Sequence, residues 1–426
     1  MNRIAFALLA IFAAAGSGAR QETPKPTPER APIYTALVGG NVHTMTQGVL
    51  KGATLLFKDA KIHRIGNDLD LPEGTKKIDV TGKTVLPGFV AATARGLGIA
   101  PGNVQKIADS LDPYQETMKL ALAGGITSAY VETGGGIFGD RSEGPAGTSA
   151  VIKMSWGDLD GMLLVEPAAV NLSSWIRASP VQRLDMRDSF RKAREALEKI
   201  RDYESRKAAG KLAPNEQPPY AGSQEPYVRV LRGDVPARIS ASSADEIASA
   251  LALVNEFRFR AVLLDADEAW TMAEEIGRAR CACVIAPRRR RLPDKRSNRL
   301  SGSSIEQAAI LRKAGVKFAV VPLQERIDTG GMAGRDLQML PLEAAFAVRG
   351  GLDAKTALEA ITLTAAEVLG VDSRVGSLEE GKDADVIVLD GDPLDYRTYV
   401  ELTFVNGKLV YEKDKSPYFQ HLKRAR

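Results

Sequence analysis

Between residues 126 and 369 the chain alternates short β-branched or apolar runs with longer stretches of helical period, and this alternation is the strongest constraint on its fold. The candidate strands are 126–131 (ITSAYV), 148–154 (TSAVIKM), 162–165 (MLLV), 237–241 (ARISA), 261–265 (AVLLD), 282–286 (ACVIA) and 317–321 (KFAVV). Helices are expected over 113–123, 184–209, 244–257, 267–279, 303–314, 341–349 and 354–369. Strand followed by helix, repeated at this length, predicts a parallel sheet closed into a distorted (β/α)8 TIM-like barrel. In the longest helix Phe190, Ala193, Leu197, Ile200 and Tyr203 recur at spacings of three and four, with charges such as Glu195 and Lys199 elsewhere. One face packs and the other is solvated. Residues 212–226, rich in proline and glutamine, read as an irregular connection.

Both ends of the chain have a different texture. Residues 31–86 contain short apolar runs separated by turns, with Asp59, Ala60 and Lys61 joining two runs as a hairpin. Residues 375–415 repeat that texture, and neither end could bury its apolar face alone. Each end therefore needs a partner elsewhere in the chain.

Residues 1–19 carry one cation, Arg3, before an apolar stretch that ends in small residues, the pattern of a secretory signal peptide. A proline-rich linker (20–30) and a basic tail (416–426) flank the folded part. The mature protein is expected to be exported, periplasmic or extracellular, with no membrane span. Losing Arg3 with residues 1–19 lowers the formal charge from +4 to +3, too small a bias over roughly 400 residues to point to nucleic acid. Cys281 and Cys283, the only cysteines, are expected to be buried thiols.

The strand entering the barrel is the chemically informative one. Residues 82–98 read GKTVLPGFVAATARGLG, a turn at Pro87 and Gly88 followed by an apolar strand that becomes polar at Thr93 and Arg95. Here the chain resembles the amidohydrolase superfamily, in its imidazolonepropionase-like branch. The likeness extends to Lys61, Ile62 and Gly66 in the first hairpin and to residues 376–385, GSLEEGKDAD. It implies that residues 31–86 and 375–415 pair into a small composite β-sandwich, with the barrel, residues 87–374, inserted between them. In active members a Pro-Gly-Leu-Ile-Asp-Ala-His-Thr-His run places two histidines on a catalytic metal. This chain has Thr93 and Arg95 at those places, and Ser240 at the place of a third histidine. The resemblance therefore implies the fold and a C–N bond hydrolase ancestry without the metal ligands.

No other residues restore the ligand set. His43 and His63 fall in the composite sandwich and His421 in the tail. No acid is evident after the last strand, at Val321, Pro322 and Leu323, and Glu132, Asp265 and Asp267 are the carboxylates expected near strand ends. Gly134, Gly135 and Gly136 read as a loop needing positive φ. Residues 287–300 hold Arg288, Arg289, Arg290, Arg291, Lys295, Arg296 and Arg299 against one acid, Asp294. Such a run is ordinarily a solvated loop, and the alternative is an anion-binding lid acting with Arg95.

The function expected from these residues is that of an exported, metal-free pseudoenzyme with a ligand- or partner-binding role. A small-molecule or anionic ligand would meet Arg95, Asp265, Asp267 and Arg288 to Arg291. The first alternative is a divergent hydrolase of amides or cyclic amides, the only reading that requires a divalent metal. The second is a structural subunit, as a homo-oligomer or paired with an active paralogue.

Overall fold

The computed structural model describes residues 31–100, 106–133, 148–172, 180–296, 298–330 and 335–422. The expected signal peptide, the linker and glycines 134–136 lie outside them. From the N-terminal end come β1 (Tyr34–His43), β2 (Val49–Lys58), β3 (Lys61–Gly66), β4 (Lys76–Asp79) and β5 (Thr84–Pro87). The barrel strands are β6 (Phe89–Ala94), β7 (Ile126–Glu132), β8 (Ser149–Lys153), β9 (Leu163–Val165), β10 (Val170–Asn171), β11 (Ala237–Ser240), β12 (Ala261–Leu264), β13 (Ala282–Ile285) and β14 (Phe318–Val320). The C-terminal end supplies β15 (Val386–Leu389), β16 (Val400–Val405) and β17 (Lys408–Glu412).

The two ends of the chain build one sheet in the order β17-β16-β15-β5-β1-β2-β3, with β4 paired to β1. Antiparallel pairing of β15 with β5, Val386 opposite Pro87, joins them. Leu37, Leu55, Phe57, Val85, Val386 and Phe404 form the buried core of this sheet. The turn after β16 lies hard against the first hairpin. A side chain at Gly407, at φ +71°, would sit 2.0 Å from the Asp59 carbonyl, so only glycine fits.

The barrel comprises the parallel run β10-β11-β12-β13-β14 and the run β6-β7-β8-β9. Backbone bonds bridge them at both seams. Val320 N and Val90 N donate to the carbonyls of Ala360 and Ile361, and Ala168 N and Val170 N donate to those of Ser149 and Pro236. Alternation of strand residues then divides the core. Val90, Ala92, Tyr130, Val262, Val284 and Ala319 fill the lumen, while Phe89, Ala91, Ala129, Val131, Ala237 and Ile239 face the helices.

Strict βα alternation fails from β8 to β10, which follow one another without an intervening helix, and β8 runs antiparallel to β7 and β9, with Ser149 opposite Glu132 and Lys153 opposite Ser128. The reversal carries Lys153 to the end facing the composite sheet. There its Nζ meets Asp383 Oδ2 at 2.6 Å, Asp385 Oδ1 at 3.1 Å and Asn406 Oδ1 at 2.6 Å. Asp383 also receives Lys61 and Arg374, at 2.5 and 2.7 Å. Burial alone would raise the Asp383 carboxyl, but the surrounding cations outweigh it and hold the group below its usual range.

Several helices differ from expectation. Expected helix 267–279 begins as a 3-10 turn, Ala269–Met272, and 303–314 becomes helical only at Gln307. Expected helix 354–369 breaks in two, because residues 360 and 361 leave it to bond β14 and β6. The supposed irregular connection ends in a helix, Glu225–Arg232, which carries Pro226 in its first turn, where a missing N–H is harmless. Its Tyr227 meets Phe190 of the long helix Pro180–Ala208 at 5.0 Å, and Phe190 also stacks on Phe257 and Phe259. Both cysteines are buried free thiols, raised by burial and therefore poor nucleophiles.

Candidate functional site at the barrel mouth

Residue 238 of β11 lies between Ala237 and Ile239, which face the helices, so its side chain enters the lumen. There Arg238, 1% exposed, is the largest fully buried side chain described. Its guanidinium carbon lies 3.8 Å from the centre of the Tyr130 ring. Nη2 donates to Thr93 Oγ1 at 2.6 Å and Nη1 to the Ala92 carbonyl at 3.1 Å. Its Nε has no hydrogen-bond partner among the described residues. The face of an aromatic ring attracts a desolvated cation, which is how this charge is tolerated with no carboxylate in direct contact among the described residues.

Around it stands a rim of both signs. Glu132, at the end of β7, accepts from Tyr130 Oη at 3.2 Å and from Asn171 Nδ2 at 3.4 Å. Arg95 turns outward, 61% exposed, and binds Glu325 through Nε at 3.1 Å. Its backbone N also donates to the Glu325 carbonyl at 2.7 Å. Burial raises the Glu325 carboxyl above its ordinary value despite Arg95. The expectation of no acid after the last barrel strand is therefore corrected. Glu325 returns to the mouth from five residues beyond Val320, too far along the loop for strand register to reveal.

The arginine run is largely neutralised by its own chain. Arg288 binds the buried Glu343 at 2.6 Å, Arg289 binds Asp265 at 2.7 Å with Asp267 at 3.6 Å, and Arg291 lies 3.3 Å from Glu268. Arg290 is exposed and makes no ion pair among the described residues. Burial pushes the Asp267 carboxyl up to about 6, with Arg289 opposing the shift. A folded-state value above the unfolded one means that ionised Asp267 costs stability. Asp267→Asn is therefore expected to raise the unfolding free energy by roughly 1–2 kcal/mol near pH 8. This gain should vanish below the unfolded carboxylate range, as melts of both proteins across pH would show.

Comparison with known proteins agrees with this architecture. The pattern of the amidohydrolase family matches residues 246–410. Imidazolonepropionase of Porphyromonas gingivalis is 26% identical over 416 residues, covering 87% of this chain and 92% of that protein. A solved amidohydrolase from Thermotoga maritima superposes with a TM-score of 0.68 at 25% identity, over 89% of this chain and all of its own. These likenesses support placing the chain with the amidohydrolase superfamily, in its imidazolonepropionase-like branch. Two further relatives match only locally. Imidazolonepropionase of Thermoplasma volcanium is 42% identical over 65 residues, and N-acetylglucosamine-6-phosphate deacetylase of Bos taurus is 39% identical over 66. In these the chain spans only 16% and 15% of the relatives' length.

The donors present do not fit the divalent metal typical of this superfamily. Thr93 is bonded to a guanidinium, Arg95 is a permanent cation, and Ser240 is a weak neutral ligand. Among the described residues no three His, Cys, Asp or Glu side chains are grouped to hold a metal ion. His43 and His63 lie on β1 and β3 of the composite sheet, far along the chain from any barrel strand end. Sequence reasoning missed Arg238, Tyr130 and Glu325. For Arg238 a signal was present, since alternation along ARIS places residues 238 and 240 on one face.

Proposed function

We propose that this protein is an exported, non-hydrolytic amidohydrolase-superfamily member whose barrel mouth holds a small polar ligand. The observation that carries the reading is the Arg238 guanidinium, seated on Tyr130 and bonded to Thr93 beside the place of the missing ligand pair. A guanidinium supplies a fixed positive charge. It has no acceptor lone pair and no coordination site, so it cannot generate the low-pKa water on which metal-assisted hydrolysis depends. The rim of Arg95, Glu325, Asp265, Asp267 and Arg289 offers both signs of charge, which suits a ligand with an anionic group beside hydrogen-bond donors.

A divergent C–N bond hydrolase is the second reading, supported by the likeness to imidazolonepropionase along most of the chain. Glu325 and Asp267, with raised carboxyls, would be its bases. Elemental analysis of the purified full chain separates the two readings. The expected result is no zinc, manganese or iron retained, while an active relative purified in parallel is loaded, together with no turnover of amide or cyclic amide substrates. Near-stoichiometric metal with chelator-sensitive turnover would overturn the proposal. Export has its own check. The mature N-terminus is expected at Arg20, read by mass spectrometry of protein recovered from outside the cytoplasm.

A further inference from the structure

The arginine run also shapes a surface that the mouth does not use. After β13 the chain turns back on itself as a hairpin with arms at residues 288–294 and 299–303. Arg291 N donates to Ser303 Oγ at 2.9 Å, Ser303 N to the Arg291 carbonyl at 3.0 Å, and Asp294 N to Ser301 Oγ at 2.9 Å. Its base is anchored by the ion pairs of Arg288, Arg289 and Arg291, by Trp270 Nε1 donating to the Gly302 carbonyl at 2.8 Å, and by Gly302 N donating to Glu268 at 2.7 Å. Gly302, at φ +86°, lets the arms close, since a side chain there would lie 2.9 Å from the Arg291 carbonyl.

Beyond this fastened base the character changes. Leu292 is 79% exposed and Leu300 72%. Beside them Arg290 and Lys295 are exposed with no ion pair among the described residues, and Arg296 is 93% exposed. Leu323, in the loop after β14 at the same end of the barrel, is half exposed. We propose that this hairpin is a docking element for an anionic lipid surface, holding the barrel mouth toward the membrane without spanning it. Apolar side chains interleaved with cations bind the headgroup region, where the leucines enter the acyl boundary and the long cationic stems keep their charges among the phosphates. Exposed leucines interleaved with cations suit a deformable surface better than a protein groove, and residues 288–303 hold no aromatic ring on which nucleic acid bases would stack.

The test is co-sedimentation of the full chain with phosphatidylcholine vesicles, with and without phosphatidylglycerol. Binding is expected only with phosphatidylglycerol and should weaken as salt is raised. Each neutralisation among Arg290→Gln, Lys295→Gln and Arg296→Gln should weaken it about fivefold. The pair Leu292→Ser with Leu300→Ser should weaken it about tenfold. All five positions are exposed, so thermal melts of these variants should match the parent. Failure to bind phosphatidylglycerol vesicles at low salt would overturn the proposal. So would undiminished binding of the double serine variant, which would mean simple adsorption of charge, or retention on heparin without vesicle binding, which would assign the cations to a soluble polyanion.

Discussion

Lys153→Met is expected to lower the unfolding free energy by about 3–5 kcal/mol, the cost of leaving buried carboxylates without their cation. Lys153 is fully buried and satisfies Asp383, Asp385 and Asn406 at once. Its loss leaves Asp383 with Lys61 and Arg374, whereas Asp385 keeps only the backbone N of Asn406 at 2.8 Å among the bonds described here. Burial already raises the Asp385 carboxyl, and without Lys153 it should rise further. The penalty is therefore expected to be largest at neutral pH and to shrink in acid, as the carboxyl accepts a proton in the folded variant. Denaturant unfolding at two pH values measures both effects. A loss under about 1 kcal/mol at neutral pH would mean that water or rearrangement replaces the lysine, and that the joint between barrel and composite sheet rests on backbone pairing instead.

Arg238→Ala is the second large effect, expected at about 3–5 kcal/mol, because truncation empties lumen space lined by Tyr130, Ala92 and Thr93. Arg238→Met should recover most of this. A methionine fills comparable volume and removes a desolvated charge that no carboxylate among the described residues touches directly, so the exchange resembles the replacement of a buried ion by a packed apolar group. The functional prediction runs the other way. If the guanidinium is what the mouth offers a ligand, the methionine variant should be folded yet bind no anionic small molecule that the parent binds, as isothermal titration would report. A methionine variant as unstable as the alanine one would show that the charge itself organises the lumen. One that binds such ligands as well as the parent would move recognition to the rim at Arg95 and Arg289.

Much of the architecture was legible because it is written in periods and turns. The short strand-like runs at 237–240, 261–264 and 282–285, and the helical spacing around Phe190, are local patterns that tertiary packing preserved. The presence of Thr93, Arg95 and Ser240 where active relatives have histidines was legible in the same way, since it needed only identities at known places in two strands. The direction of β8 was not, because strand polarity depends on the partner and Lys153 finds its partners more than 200 residues away. The 354–369 helix was misread for a similar reason, since residues 360 and 361 are claimed by the barrel seam.

The site divides along the same line. By itself the sequence determined the superfamily, the composite arrangement and the absence of histidines at the mouth. Only the tertiary structure decided what stands there instead. Arg238, Tyr130, Thr93 and Glu325 come from four separate segments. A buried guanidinium is tolerated only where a ring face, a hydroxyl and a carbonyl converge on it. The same holds for the arginine run, which reads in sequence as free positive charge. Folded, Arg288, Arg289 and Arg291 are matched by carboxylates from other segments of the chain, and the leucines and cations beyond them stay exposed. Charge and polarity are properties of residues, but their neutralisation depends on neighbours that only chain folding supplies.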